Sequence, residues 1–288
     1  MKDRPRFRFT LRDLFALVTI AALAIGLFLM ALQSMKGPHL PARRAQCMNN
    51  QMQVGKAILT HAIAGHGEFV GYRHDLNGTT VSWPVKILPN IGRSDLYDAY
   101  LTSPPPPNTH RIDIYVCPSD EPMAATKSQL SYVINAGRAD DAEEKLANGI
   151  ARDYTVFSER MSIGYIAQHD GTANTLLLSE NLQATTWDAI GKPDTTFLWH
   201  ATTSPKAEHL INGGKKNAPL ASDTARPSSN HNGDVVMTFC DGHTRFINEQ
   251  IEYRVYMQLM TPSDADSDIP APWRNLPLVE SDLRWRDG

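Results

Sequence analysis

Residues Leu14–Leu32 read LFALVTIAALAIGLFLMAL, an unbroken apolar run with no charge and a single hydroxyl, Thr19. At a helical rise of about 1.5 Å per residue the run spans about 28 Å, close to the hydrocarbon thickness of a bilayer. A helix that packs into a globular core keeps a polar face and has no use for so continuous an apolar surface. The run also exceeds the ~7–15 apolar residues of a secretory signal, and LQSMKGPHL behind it offers no Ala-x-Ala cleavage pattern. The sequence therefore predicts a retained transmembrane helix over residues 14–36. A basic lead over residues 1–13 precedes it, with Lys2, Arg4, Arg6, Arg8 and Arg12. Lys and Arg stay cytoplasmic, so the expected topology is a single pass with the N-terminus in the cytoplasm and the remaining chain outside the membrane. Lys36, Arg43 and Arg44, just past the helix, reduce that charge asymmetry.

The 288 residues leave enough chain behind the anchor for one large domain or two small ones, and a hydrophobic content of 42% supports a core. A net charge of −3 and a pI near 6.4 argue against nucleic acid as a partner. Outside the lead the basic residues form no phosphate-tracking stripe. None of the three cysteines, Cys47, Cys117 and Cys240, sits in a Cys-x-x-Cys pair, so a structural zinc site is not expected. An exported domain can form disulfides, and three cysteines allow at most one pair within the chain.

Gly37, Pro38 and Pro41 end the first helix. A second helix is predicted over residues 42–64, with Met48, Met52, Gly55, Leu59 and Ala62 on its core face and Arg43, Arg44, Asn50, Gln53 and Lys56 polar. After Gly65 short apolar runs alternate with turn residues: VSWPVKILP, IDIYVCPSD, LSYVINAG, NTLLLSENL, TTFLWHA and DVVMTFCDGHTRFI. These read as strands and loops. LTSPPPPNTH reads as a stiff extended connector. A globular domain is assigned to residues 42–260 and an irregular, surface-wrapping tail to 261–288. The order, helix first and sheet afterwards, gives an α+β arrangement.

The clearest local element is a hairpin over residues 235–247, where Asp241-Gly242 suits a two-residue turn. That register pairs Cys240 with His243, Thr238 with Arg245 and Met237 with Phe246. Val235, Met237, Phe239 and Phe246 then share a core face, while the opposite face is mixed and partly exposed.

The sequence resembles a large bacterial family of prepilin-like proteins of unassigned function. The resemblance is carried by a pilin-type N-terminus and a C-terminal motif of His, nine residues, then Asp-Gly: here His231, NGDVVMTFC, Asp241 and Gly242. ARRAQCMNNQMQVGKAI, SWPVKILP, CPSD, SYVINAGR and DGTANTLLLSEN carry it too, in order along nearly the whole chain. The resemblance implies a type IV pilin-like build: an N-terminal helix in the inner membrane that continues into a periplasmic or extracellular domain, with an antiparallel sheet packed on a second helix. It implies a pilin- or pseudopilin-like structural or interaction protein without catalysis or cofactor. Its partners would be membrane lipid and like subunits, or secretion and pilus machinery. Some pseudopilins bind calcium, which here would fall on loop oxygens near the hairpin; no metal is assigned. The N-terminus departs from the family pattern, because Arg8 stands where a glycine precedes the cleavage site and Phe9 follows. Asp13 takes the place of the glutamate five residues into a mature pilin. Without cleavage no free amine forms at Phe9, and Arg12 or lipid headgroups are the expected partners of the Asp13 carboxylate.

Catalytic alternatives are thin. The six residues between Asp234 and Asp241 put His231 and Asp234 roughly 20 Å from Asp241 and His243, too far for one ligand sphere. His231 is expected to hydrogen-bond a loop, and Asp241 to serve the turn. No Gly-x-Ser-x-Gly elbow, Gly-rich phosphate loop or His-Glu-x-x-His helix occurs. Glu180, at a strand end, is expected as a hydrogen-bonded edge carboxylate. If the sheet packs on the second helix, Cys47 and Cys117 can meet in a disulfide, leaving Cys240 unpaired. The competing reading is an exported hydrolase or metal-binding enzyme, which requires three or more of His231, Asp234, Asp241, His243 and Glu180 to converge. A ligand-binding module would instead need an open aromatic cleft at Trp83, Trp187 or Trp199.

Overall fold

Thr10 starts the first helix. Its backbone N and Oγ1 donate to Asp13 Oδ2 at 3.0 and 2.7 Å, and Asp13 N points back to Thr10 Oγ1 at 3.4 Å. This is a capping box, which satisfies amide groups that no helical carbonyl can reach. Asp13 thus has Thr10 as a hydrogen-bond partner. The structure, a computed structural model, describes residues 10–36, 39–102, 110–120, 128–213, 225–274, 276–279 and 285–286. Residues 1–9 of the basic lead, Phe9 among them, most of the proline-rich connector and the Gly37-Pro38 break lie outside the described residues.

The chain divides into two compact units, residues 1–43 and 44–288. In the first, α1 (Leu11–Lys36) carries one window, Leu11–Leu29, long and apolar enough to cross a membrane, with mean hydropathy 2.0 and none of it buried. The second unit begins within α2 (His39–Ala64). It continues with β1 (Arg73–Leu76), β2 (Thr79–Ser82), α3 (Trp83–Lys86), α4 (Ser94–Tyr100), β3 (Tyr132–Arg138), α5 (Ile163–Gln168) and β4 (Leu176–Glu180). Then come α6 (Lys192–Thr195), β5 (Thr196–Trp199), β6 (Asp234–Phe239), β7 (Thr244–Asn248), α7 (Tyr253–Met260) and β8 (Trp285–Arg286). The fold is α+β, with a sheet packed against helices.

Among the described residues the main sheet has six strands in the order β5-β3-β4-β6-β7-β8. Every pairing is antiparallel except β3 with β5, which is parallel, so the sheet is mixed rather than purely antiparallel. β4 and β6 are buried at every residue, as central strands covered on both faces must be. Residues 261–279 are not a mere surface wrap. Thr261, Ser263, Ser267 and Ile269 are buried, and β8 extends the sheet beside β7.

Two expected strands are not strands. In VSWPVKILP, Val81 and Ser82 end β2, and WPVKILP forms α3 and a 3-10 turn over Leu88–Ile91, because Pro84 and Pro89 each sit in the first turn, where proline's fixed φ suits a helix and its missing N–H is not needed. IDIYVC contains only a 3-10 turn, Asp113–Tyr115. A hairpin the sequence reading passed over joins β1 to β2 at Asn77-Gly78. Both residues have positive φ, 53° and 84°, as a two-residue type I′ turn requires.

α2 meets the sheet through Cys47, Gln51, Val54 and Ile58, all fully buried, while Met48, Met52 and Leu59 are half-buried at the margin. Gly55 and Ala62 are buried as expected, while the centre of the buried stripe shifts from Met48, Met52 and Leu59 toward the Cys47–Gln51–Val54–Ile58 line. Gly55 belongs to both the expected and the observed stripe. A Cβ on Gly55 would stand 2.8 Å from Thr238 Cγ2, so glycine lets the helix lie directly on β6. Asn50, expected outside, is buried and donates to the carbonyls of Asp113 and Val116 at 3.3 and 3.0 Å. On the sheet, Asn135 Nδ2 donates to Leu176 O and Met260 O, both at 2.8 Å, tying β3 to β4 and α7.

Gly137 and Gly149 form a backbone crossing of similar tightness. Gly137 has φ +79°, and a Cβ on Gly149 would fall 2.3 Å from Gly137 Cα. Neither atom belongs to a flexible side chain that could move aside. G149A is therefore expected to lose about 1–3 kcal/mol of stability, measured by denaturant unfolding; a change below a few tenths would mean the crossing opens freely.

Candidate functional site

β6 and β7 carry the motif, with a register one residue away from the expected one. Thr238 pairs with Thr244, Met237 with Arg245 and Val236 with Phe246. Phe239 N donates to His243 O and Gly242 N to Phe239 O, both at 2.9 Å, so Cys240-Asp241-Gly242 is a three-residue loop. Only Gly242 in it has positive φ, +91°, whereas a two-residue Asp-Gly turn needs positive φ at Asp241 as well. The shift moves Phe246 to the α2 side with Val236 and Thr238. That face is buried rather than partly exposed: Thr238 and Thr244 share a hydroxyl hydrogen bond of 2.9 Å there.

The two ends of the motif serve different ends of the strand. At the turn, His243 N and Nδ1 approach Asp241 Oδ1 at 3.0 and 2.6 Å, and the imidazole stacks on Phe239 at 4.2 Å. Gly242 stands against α2, since a Cβ there would lie 3.0 Å from Leu59 Cδ1. At the other end, His231 is buried in the loop before β6. Its backbone N donates to Ser229 Oγ at 3.1 Å, and its ring meets Phe246 edge-on at 5.6 Å. His231 Nε2 faces two groups at once, Glu180 Oε1 at 3.2 Å and Cys117 Sγ at 3.6 Å. Glu180 Oε2 accepts from Val236 N at 3.0 Å. Glu180 is no edge carboxylate: it closes a central strand and is 3% exposed.

Cys117 is joined to Cys47 by a disulfide, with Cα atoms 4.8 Å apart; Cys240 is a buried free thiol whose pKa is raised by burial. Cys117 follows the 3-10 turn rather than a strand, and Tyr132 Oη on β3 donates to Cys47 O at 3.1 Å, holding α2 against the sheet. A hollow beside the disulfide, lined by Cys117, Asp120, Glu180, Asn181 and Ser228, is too narrow to admit a water molecule. Asp234 goes elsewhere. Fully buried, it pairs with Arg44 Nη1 at 2.9 Å and accepts from Asn248 Nδ2 at 3.3 Å, while the Arg44 guanidinium lies 3.6 Å over the Phe246 ring.

Of the five groups proposed for catalysis, His231 and Glu180 thus bond one another, Asp241 and His243 bond one another, and Asp234 bonds Arg44. The three tryptophans are core side chains. Each is fully buried, and each indole N–H donates to a backbone carbonyl: Trp83 to Thr195, Trp187 to His110 and Trp199 to Asn148. An open depression of about 460 Å³ bordered by Tyr72, Asp141, Glu144, Asp153 and Lys192 is braced internally. Glu144 accepts from Tyr72 Oη, Lys192 Nζ and Asp153 N, and Asp153 binds Arg73 and Thr155.

A second titratable cluster was not legible in the sequence. Asp264 accepts from Thr261 Oγ1 and Gln258 Nε2, at 2.5 and 2.8 Å, and its backbone N donates to Asp170 Oδ2 at 2.7 Å. Burial, with the Asp170 charge adding to it, pushes Asp264 up to about 7 from 3.8. A carboxyl raised on folding holds its proton longer in the native state, so its contribution to stability declines as pH rises from about 4 to about 7. His74, buried against Tyr154, is pushed down to about 3 from 6.5 by burial, and contributes the opposite slope between those values. The stability advantage of wild type over D264N is therefore expected to shrink steadily from pH 4 to pH 7, read from denaturation midpoints. A pH-independent difference would show that Asp264 titrates normally.

The helix and the sheet define the class: an α+β unit behind an N-terminal helix apolar enough to cross a membrane, the build of a membrane-anchored or exported protein. The chain belongs to the family described as protein of unknown function DUF1559 (SBP_bac_10), whose model matches residues 41–254. The matched region takes in Cys47, Cys117, Glu180, His231 and the Asp241-Gly242 turn. No curated protein and no solved structure matches the chain.

Proposed function

We propose that the protein is a non-catalytic, pilin- or pseudopilin-like structural or interaction protein, held in the inner membrane by α1 with residues 44–288 on the periplasmic or extracellular side. The observation that carries this reading is the apolar window Leu11–Leu29, none of it buried, at the end of a basic lead. Lipid is the solvent such a surface needs. The motif residues support the non-catalytic part. His231 and Glu180 are buried against each other beside a hollow that excludes water, and Asp241 and His243 cap a turn. His231, Asp241 and Gly242 then act by fixing β6 at its two ends. Interaction partners would be membrane lipid and like subunits or secretion machinery, with no nucleic acid.

Two measurements on native membranes test the reading. The full-length chain should stay with membranes through an alkaline carbonate wash, and protease added outside spheroplasts should degrade the C-terminal unit. Recovery in the aqueous extract, or protection from the outside protease, contradicts it. N-terminal sequencing then separates two forms of the proposal: Phe9 as the first residue indicates processing and subunit assembly through α1, and Met1 indicates a fixed anchor.

A further inference from the structure

We propose that Cys47, Cys117, Glu180 and His231 form a closed four-ligand site for Zn²⁺ once the disulfide is reduced. One ligand atom from each side chain lies within 4.8 Å of the other three, and all four residues are buried. Two thiolates, an imidazole and a carboxylate are a donor set that tetrahedral zinc accepts. The distances already fit. With Zn–N, Zn–O and Zn–S bonds of about 2.0–2.3 Å, tetrahedral angles place imidazole nitrogen about 3.6 Å from a thiolate sulfur and about 3.3 Å from a carboxylate oxygen. His231 Nε2 stands 3.6 Å from Cys117 Sγ and 3.2 Å from Glu180 Oε1. The imidazole is therefore aimed at the point a shared ion would take. The ligands are also oriented from behind, as metal ligands need. Val236 N holds Glu180 Oε2 and leaves Oε1 for the site, and Phe246 and Ser229 fix the imidazole and the backbone of His231.

Reduction supplies the remaining ligands. A dithiol reductant gives two electrons and two protons to the Cys47–Cys117 bond and leaves as its own disulfide, producing two protein thiols. Zn²⁺ then displaces both thiol protons, and the sulfurs part to the roughly 3.8 Å that two thiolates on one zinc adopt. The site would have two exclusive states, a covalent staple when oxidised and a coordinate one when reduced, both joining α2 to the turn at Cys117. Which state is populated follows the redox potential around the domain, while the ligand geometry itself does not depend on subunit assembly.

The test uses the full-length protein in detergent micelles, reduced with a phosphine and titrated with Co²⁺ alone. The reduced protein should take up one Co²⁺ with tetrahedral visible bands and a thiolate-to-cobalt near-ultraviolet band, and Zn²⁺ should abolish both. The oxidised protein should give neither. Since losing an outer partner of a metal ligand alone costs about 10–100-fold in affinity, H231Q and E180Q should each weaken binding by about tenfold or more. Two further measurements cover a variant or reduced state that does not fold. Zn²⁺ should restore the near-ultraviolet circular dichroism of reduced wild type, and should slow return of the disulfide under air by about tenfold or more. Cobalt bands of equal strength in oxidised protein, or reduced wild type that neither binds Co²⁺ nor regains structure with Zn²⁺, overturn the proposal.

Discussion

Replacing Cys47 and Cys117 together by alanine is expected to lower the unfolding free energy by roughly 4 kcal/mol in the chain-entropy account. The two residues are 70 apart in sequence, so the bond removes a long loop's worth of freedom from the unfolded chain. Cys47 is fully buried and Cys117 is 3% exposed, so no solvent access softens the loss. The bond also fixes which face of α2 meets the sheet, through a helix whose own amphipathicity is weak. Chemical denaturation of the full chain in detergent checks the figure. Wild type kept reduced in the presence of a chelator should lose a similar amount, while C240A, which touches no disulfide, should lose far less. A loss below about 1 kcal/mol in C47A/C117A would show that packing alone holds α2 in place. Added Zn²⁺ should rescue the reduced wild type and leave C47A/C117A unchanged, which separates the staple from the proposed metal state.

The Arg44–Asp234 pair should give the next largest effect. R44M is expected to cost about 3 kcal/mol, because it takes the cation from the fully buried Asp234 carboxyl and from the Phe246 ring. The figure sits at the low end for a buried pair because the Arg44 side chain keeps 25% of its surface in water, where the Coulomb term is screened. The double variant R44M/D234N should be more stable than R44M alone, since no charge is then left without its partner. If the double variant proves less stable than R44M, the pair is not what makes the single change costly.

The sequence made several elements legible because their signals are local. An uninterrupted apolar run marks a helix long and apolar enough to cross a membrane, whatever the rest of the chain does. The runs that became β3, β4, β5, β6 and β7 are bounded by turn residues and rich in residues that fit a pleated, buried surface. Asn77-Gly78 was equally local, and the β1–β2 hairpin was there to be read. SWPVKILP misled because its Trp, Val and Ile suggest a strand, while Pro84 and Pro89 start helical turns. The hairpin register was missed by one residue because Asp-Gly suits both a two- and a three-residue loop. The choice fell to the packing of Phe246 beside Val236 under Arg44, which the turn residues do not encode.

The candidate site was less legible, for a physical reason. Cys47, Cys117, Glu180 and His231 come from a helix, a turn, a strand end and a loop, so no spacing pattern links them and the absence of Cys-x-x-Cys hid a possible ligand set. One signal was present. LLLSE puts a carboxyl at the end of a run that reads as buried on both faces, and a carboxyl there must find a partner. Which partner it finds is a question of how strands order themselves. The amino-acid sequence by itself determined the apolar helix, the α+β class and most strands, because those follow from which solvent each stretch prefers and from periodicities of a few residues. The tertiary structure alone decided that α2 presents Cys47 rather than Met48, that His231 meets Glu180 and the disulfide, and that Asp234 takes Arg44. Those pairings depend on close approaches such as Gly55 against Thr238, made between segments far apart along the chain.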